Sequence, residues 1–291
     1  MLAQNIIKMS ESRFNGIVIL DAVPEGELNT ARRLKEDLKD ISCYVANGLQ
    51  VRYVRIDTTY ALRVGISEIL DEIKNNGLNP WLHLDGHGLS DQSGFQLSGG
   101  TACSWVQLKE LITPLNIALG LNLVLILSTC FGGSFASAIR TVDRAPVLGL
   151  IGPTREVTIG EIERAFPAFY RTFFESLSLK KAIDALNTGA PKGLYYRTTA
   201  TQFFYDVWAS YKKVQCTEEE IENRARRMYR EAKKQNLPRT PSIGQLKRLL
   251  RSQESRLFEK YRDTYFMYDI DELNRDRFPV TYIEAESYAM R

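Results

Sequence analysis

Short apolar runs alternate with longer amphipathic segments over the first two thirds of the chain. A short apolar run between turn residues is typical of a strand buried on both faces, and apolar residues spaced by three or four positions are typical of a helix that covers one. The alternation predicts an α/β fold with a mostly parallel sheet. The predicted strands are 16–22, 50–57, 80–86, 121–128 and 146–152, and the predicted helices are 28–39, 60–75, 104–117, 133–139, 159–176 and 179–186.

The pattern changes near residue 195. Before it, "FQLSGG" (95–100) resembles a hairpin insert with a glycine turn. After it, charged helical sequence such as "TEEEIENRARRMYREAKKQ" replaces the buried-strand runs, with a break at "NLPRTPSIG". We therefore expect two domains: an α/β domain over 1–195, and a mainly helical, basic C-terminal region over 196–291.

Composition supports a folded chain with a sizeable core, since 44% of the 291 residues are hydrophobic. The longest apolar run, "LNLVLILSTC", is too short to cross a bilayer, and the first residues lack the apolar stretch of a signal peptide. We expect a cytoplasmic protein that does not bind to a membrane.

The net charge of +3 says little, but its distribution is uneven, because residues 212–262 carry about twice as many basic as acidic side chains. Such a stretch can contact nucleic acid, a membrane surface or an acidic partner, although a solvated helical face is the commoner explanation. The four cysteines form no CxxC pair and the chain has only two histidines, so we expect free thiols, no metal site and no cofactor.

Both histidines lie in "HLDGHGLSDQSGF" (83–95), at the end of the third predicted strand. The fourth predicted strand ends in "STCFGG", with Cys130 beyond its last apolar residue. Loops at the carboxyl ends of parallel strands share one edge of the sheet, where active sites of open α/β folds form. His87 and Cys130 are therefore expected to face each other.

A cysteine is a better nucleophile beside an imidazole and a helix N-terminus, because both favour the thiolate. The helix predicted after Gly133 would supply that dipole. Neighbouring glycines leave amides free for an oxyanion, and we expect the N–H groups of Gly88 and Cys130 to form the oxyanion hole. Alone, a strand-end cysteine or histidine is more often structural, but the two together favour a catalytic pair. His83 is expected to support the pair or simply to pack.

Three blocks in this order resemble the caspase-like cysteine proteases, and most closely the CHAT-domain and bacterial caspase-like peptidases. They are "WLHLDGHG", "LVLILSTC" and the strand-helix-helix segment 147–187. The resemblance covers about residues 14–190. It implies a three-layer α/β/α sandwich with His87 as general base or imidazolium partner and Cys130 as nucleophile.

The same resemblance implies substrate contacts. Ser128, two residues before the nucleophile, takes a position that often lines the specificity pocket in these families. Asp21, at the end of the first strand, either reaches that pocket and favours a basic residue or caps the following turn. The segment "GPTREV", which begins at Gly152, is expected beside the groove, where it would pair with an extended substrate.

The expected function is a cysteine endopeptidase that cleaves a protein substrate, regulated as a processing or signalling protease in a bacterial defence or stress pathway. Activation is expected to require a partner protein or self-cleavage, for which "APKGLYYRTT" and "NLPRTPS" are candidate sites. The alternatives are a catalytically silent caspase-like scaffold and a nucleic-acid-binding module that uses the basic C-terminal region.

Overall fold

The computed structural model describes residues 7–8, 13–44, 49–235 and 240–290. The chain forms two compact units, and β-sheet secondary structure lies in the first of them. The first unit extends to Arg140 and resumes over Ala145–Thr199, whereas the second contains Thr141–Arg144 and the chain from Ala200 onward.

The described residues of the first unit form three sheets, and five strands of the central sheet follow the predicted apolar runs. The strands are Ile7–Lys8 (β1), Arg13–Phe14 (β2), Gly16–Asp21 (β3), Gln50–Arg55 (β4), Pro80–Asp85 (β5), His87–Gly88 (β6), Gly94–Gln96 (β7), Ala102–Ser104 (β8), Val124–Ser128 (β9), Gly149–Pro153 (β10) and Tyr195–Thr199 (β11). The α-helices of the described residues are Thr30–Tyr44 (α1), Thr59–Asn76 (α2), Trp105–Ala118 (α3), Ile159–Ser176 (α4), Leu179–Leu186 (α5), Ala200–Gln215 (α6), Glu218–Lys234 (α7), Ile243–Ser252 (α8), Glu254–Tyr265 (α9), Asn274–Arg277 (α10) and Tyr282–Ala289 (α11).

The central sheet has six strands in the order β11-β10-β9-β5-β3-β4. All neighbouring pairs are parallel except β10 and β11, which are antiparallel. The prediction of a mostly parallel α/β sheet is therefore confirmed. The strand β11 was not predicted: it lies at the edge of the sheet, only its first residue Tyr195 is buried, and it crosses the domain boundary that we expected at residue 195.

Helices cover both faces of this sheet. Along each strand, one set of alternate side chains, which includes Ile19 and Ile126, belongs to a buried aromatic cluster shared with α1 and α4. In the other set, Val54 packs against α2, where Gly65 leaves room for its methyl groups. Since alternate residues of a strand point to opposite faces, α1 and α4 lie on one side of the sheet and α2 on the other.

Helix boundaries follow local capping chemistry. Thr158 and Ser104 form capping boxes with the third residue of α4 and α3, in which side chain and backbone bond reciprocally. Helices α4 and α5 have the predicted bounds. The predicted "FQLSGG" hairpin is part of a small antiparallel sheet formed by β6, β7 and β8.

The second unit is helical and packs around its own aromatic cluster. Phe204 and Trp208 of α6 contact Phe258 of α9 edge to face. Ion pairs join α7 to α8, where Lys247 contacts Glu218 and Glu222 at 2.5 and 2.9 Å. Several basic side chains of the stretch 212–262 are thus paired within the unit. Among the residues that the structure describes, no helix is long and apolar enough to span a bilayer.

Candidate active site

Two loops leave the carboxyl ends of the neighbouring strands β5 and β9 and meet at one edge of the sheet. Asp85 lies opposite Ser128 in the register, and His87 and Cys130 each follow two residues later. A Cβ atom built on Gly88 would lie 1.8 Å from the carbonyl oxygen of Cys130. The backbones of the two loops are therefore in direct contact, and the structure brings the predicted histidine and cysteine loops together.

The sulfur of Cys130 is half-buried and has a backbone partner. The Val157 N–H donates to Sγ at 3.4 Å. The next residue, Phe131, has a left-handed φ of 56° and donates its N–H to the Arg155 carbonyl at 3.1 Å. A non-glycine residue in this region costs about 1–3 kcal/mol, and such strain is common at functional turns. This turn fixes the direction in which the chain leaves Cys130.

A surface cavity of about 350 Å³ opens at Cys130. Its walls come from the histidine loop, from the cysteine loop and from the segment that follows β10, which was predicted to lie beside the groove. The residues that line it are Gly88, Ser90, Cys130, Phe131, Arg155, Glu156, Val157 and Thr158. The predicted nucleophile therefore faces a space large enough for part of a peptide.

The imidazole of His87 contacts a carboxylate that sequence reasoning missed. His87 Nε2 lies 2.7 Å from Glu27 Oε2, and both side chains are close to half exposed. Within the described residues, no hydrogen bond joins this imidazole to the Cys130 thiol. The signal for Glu27 is topological: β3 and β5 are neighbours, so the loop after β3 that carries Glu27 emerges beside the histidine loop.

Among the described residues, neither of the two amides predicted for the oxyanion hole has a hydrogen-bond partner. Leu89 N–H donates to Gly94 at 2.9 Å. Because adjacent pairs of an antiparallel ladder alternate between bonded and non-bonded, the Gly88 N–H points away from β7. In the part of the chain that the structure describes, no acceptor lies within hydrogen-bond distance of the Cys130 N–H. Both donors remain available to a ligand.

The helix predicted at 133–139 is instead a 3₁₀ helix, Gly132–Ala138. Its glycines allow close packing: a Cβ atom at Gly132 would lie 2.7 Å from Leu127 Cβ, and one at Gly133 would lie 2.8 Å from Tyr196 Cβ. A single short 3₁₀ segment aligns fewer peptide dipoles than an α-helix. Helix-dipole assistance to the thiolate is therefore smaller than expected.

His83 belongs to a buried polar chain rather than to the sheet edge that carries His87 and Cys130. Its Nδ1 lies 3.1 Å from the Tyr170 hydroxyl and its Nε2 lies 3.1 Å from Ser128 Oγ. Burial lowers the pKa of His83 to about 3 and raises that of Tyr170, so the imidazole is neutral and the phenol keeps its proton. One nitrogen of the neutral ring donates and the other accepts, so Tyr170 and Ser128 together satisfy both. These contacts hold His83 within the core, and none of them reaches His87 or Cys130.

The structure corrects the expected substrate contact at Asp21. Its carboxylate is fully buried and accepts hydrogen bonds from Val23 N–H at 2.8 Å, Asn29 at 2.9 Å, Arg55 at 2.6 Å and the Tyr53 hydroxyl. A carboxylate with four donors has no accessible oxygen left for a ligand. The bond to Val23 N–H, two residues on, is the turn-capping alternative.

Ser128 and Gly152 are also buried, which argues against direct contact with a substrate. The Ser128 hydroxyl is engaged by His83 and by the Leu84 carbonyl at 3.4 Å. A Cβ atom at Gly152 would lie 2.8 Å from the backbone of Gly132. Both residues support the turn at Cys130 from inside the fold, and the residues beyond Gly152 form the cavity wall.

Asp85 is a second feature that the sequence analysis did not single out. It is 2% exposed, and burial raises the pKa of its carboxyl to about 7, although hydrogen bonds from Thr30 and Ser128 act to lower this pKa. Its Oδ2 atom is buried and has no partner among the described residues. Asp85 and His83 line a second cavity, of about 540 Å³, whose remaining walls belong to α1 and α4.

The other cysteines differ from Cys130 in their surroundings. Burial raises the pKa of the Cys103 thiol to about 11, and burial raises that of Cys216. Cys43 is exposed at the end of α1. Within the described ranges, no group of three or more His, Cys, Asp or Glu side chains is placed to hold a metal ion.

No protein-family model and no curated protein matches this chain. The functional interpretation therefore depends on the geometry described above.

Proposed function

We propose that the protein is a caspase-like cysteine endopeptidase that cleaves a protein substrate through an acyl-enzyme. Its first unit would be the three-layer caspase-like peptidase domain, with Cys130 as nucleophile and His87 as its proton acceptor and donor. The observation that carries the proposal is the contact between Gly88 and the Cys130 carbonyl, which holds the histidine and cysteine loops together beside a cavity.

The proposed reaction uses groups already placed at this edge. The Cys130 proton passes to His87 Nδ1, and the thiolate attacks the carbonyl carbon of the scissile peptide bond. The oxyanion accepts hydrogen bonds from the N–H groups of Gly88 and Cys130. The imidazolium returns its proton to the leaving amine as the C–N bond breaks, and water then hydrolyses the thioester.

Glu27 fits the role of a positioning residue in this scheme. Its contact at Nε2 leaves Nδ1 as the nitrogen that can face the sulfur, and it fixes the orientation of the ring. The pair is exposed, so its contribution is modest.

A second candidate, the catalytically silent scaffold, is favoured by one observation. His87 bonds to Glu27 and Cys130 bonds to Val157, so this arrangement lacks a bond between imidazole and thiol. The nucleic-acid-binding alternative has less support, because Lys247 and Arg251 of the basic stretch are paired with Glu218.

Regulation within a bacterial defence or stress pathway remains part of the proposal, with activation by a partner protein or by self-cleavage. Of the two candidate self-cleavage segments, "APKGLYYRTT" contains an exposed turn at Lys192 before β11. In the other, residues 236–239 lie outside the described residues.

The decisive experiment is covalent labelling of the full chain with a peptidyl acyloxymethyl ketone, followed by peptide mass mapping. We expect modification of Cys130 in the wild type and in Cys103→Ala, and none in Cys130→Ala. The same three proteins are incubated with a peptide library, and the new termini are sequenced. Cleavage is expected to disappear only in Cys130→Ala.

Two results would contradict the proposal. Equal labelling or cleavage in Cys130→Ala would move the nucleophile elsewhere. Failure of the wild type to react in the presence of candidate partner proteins, with the fold intact by circular dichroism, would support the silent scaffold.

A further inference from the structure

The cavity between α1 and α4 has a buried acid at its base. Asp85 is 2% exposed, and its Oδ2 atom has no hydrogen-bond partner among the described residues. An unpaired buried carboxylate oxygen is costly unless something binds to it. The cavity of about 540 Å³ lies within the size range of small-ligand sites. Binding of a hydrogen-bond donor would therefore satisfy this oxygen, and the cavity is large enough to hold one.

The charges around the cavity favour a cation over a neutral donor. Four carboxylates line it against two guanidinium groups. With the ion pair between Arg33 and Glu163 set aside, three carboxylates remain against one guanidinium. His83 contributes no positive charge, because burial keeps it neutral. The lining side chains that carry charge are Arg32, Arg33, Glu36, Asp37, Asp85 and Glu163.

We propose that this cavity binds a guanidinium or ammonium group, with the Asp85 carboxylate as its counter-charge. A guanidinium presents several N–H donors in one plane and bonds well to a carboxylate. The aromatic ring of Phe166, which also lines the cavity, offers a surface for the apolar stem of such a group.

The position of the cavity suggests the source of the cation, and this step depends on the proposed peptidase function. Asp85 lies opposite Ser128, two residues before Cys130, a span of about 7 Å along a strand. Thr158 at the start of α4 lines the Cys130 cavity, and Ile162, one turn later, lines this one. A lysine or arginine side chain of a bound substrate can bridge that span. The alternative source is a free guanidinium or amine.

The first experiment measures the cation site without any requirement for catalysis. Isothermal titration calorimetry at pH 8 compares N-acetyl-arginine amide with N-acetyl-citrulline amide, which has nearly the same shape but no charge. The proteins are the full-length wild type, Asp85→Asn and Asp71→Asn. The last is the control, because it removes an exposed carboxylate on α2, on the other side of the sheet from this cavity. We expect the arginine amide to bind the wild type about ten- to hundredfold more tightly than the citrulline amide.

Asp85→Asn is expected to lose that preference, whereas Asp71→Asn keeps the wild-type dissociation constant within about threefold. Equal binding of the two amides to the wild type would overturn the cation site, even if no variant folded. Unchanged preference in Asp85→Asn would overturn the assignment to Asp85.

A second experiment separates the two sources. Peptides that differ only by arginine or citrulline before the cleaved bond are offered to the wild type and to Asp85→Asn. A preference for arginine that disappears in Asp85→Asn identifies the substrate side chain as the cation. Cleavage with no such preference, together with calorimetric binding, identifies a free cation instead. If the arginine amide binds but no peptide is cleaved, the proposed function fails and the cation site stands.

Discussion

Replacement of Asp85 by asparagine should stabilise the fold at alkaline pH. The folded state holds the pKa of this carboxyl at about 7, whereas its ordinary value is 3.8. Between these two values the folded protein binds more protons than the unfolded chain, so the acid lowers stability as the pH rises. Asparagine has a similar shape and no proton to lose. The cost of burying the charge therefore disappears in the variant.

The size of the effect follows from the two pKa values. The difference in free energy of unfolding between Asp85→Asn and wild type should grow by about 1.4 kcal/mol per pH unit between pH 4 and pH 7. Above pH 8 it should level off at roughly 4 kcal/mol, an upper figure because water and side chains relax around a buried charge. Both proteins contain the same other titratable and charged groups. Those that face this carboxyl are Asp21, Arg32, Arg33, Glu36, Asp37, His83 and Glu163.

The assay is urea unfolding followed by tryptophan fluorescence at pH values from 4 to 9. Glu36→Gln serves as the control and should show no such trend. A difference that does not change with pH, or an Asp85→Asn protein that is less stable than wild type at pH 8, would refute the reasoning. The first result would mean that the carboxyl titrates normally, and the second that its charged form has a partner inside the fold.

Three further changes test the polar edge of the sheet. Gly88→Ala places a methyl group 1.8 Å from the carbonyl oxygen of the proposed nucleophile. Peptide cleavage should therefore fall about a hundredfold or more, at a stability cost of about 1–3 kcal/mol. The control Gly160→Ala, which has open space around it, should retain activity, and equal losses in the two variants would contradict this account. Glu27→Gln should lower kcat/KM up to about fivefold, with a shifted pH profile, whereas a rise would identify the pair as inhibitory. Tyr170→Phe leaves the Nδ1 atom of His83 unpaired and should cost about 1–3 kcal/mol in urea unfolding; an unchanged midpoint would argue against the buried chain.

The core of the fold was predictable because its strands and helices have regular patterns of apolar residues. The strands β3, β5 and β9 are apolar runs, and α4 carries a regular aromatic stripe and a capping box. Strand β11 escaped prediction because only Tyr195 of its residues is buried, and its threonines and arginine resemble a polar linker. The 3₁₀ helix was mistaken for an α-helix because the short segment "GGSFASA" cannot show a helical period.

Only those site residues that lie at the ends of predicted strands could be identified from the sequence. The positions of His87 and Cys130 follow from where two apolar runs stop. Asp21 could be read as a substrate contact because the sequence does not show that Tyr53 and Arg55 of the neighbouring strand reach it. Glu27 and the Asp85 cavity depend on tertiary neighbours in the same way.

The contact between Gly88 and the Cys130 carbonyl also has a mechanical consequence. No side chain separates the two loops, so a displacement of one is transmitted to the other with almost no slack. The β6-β7-β8 hairpin sheet continues directly from Gly88 and ends where α3 begins. A displacement of this hairpin would therefore also move the loop that carries Cys130.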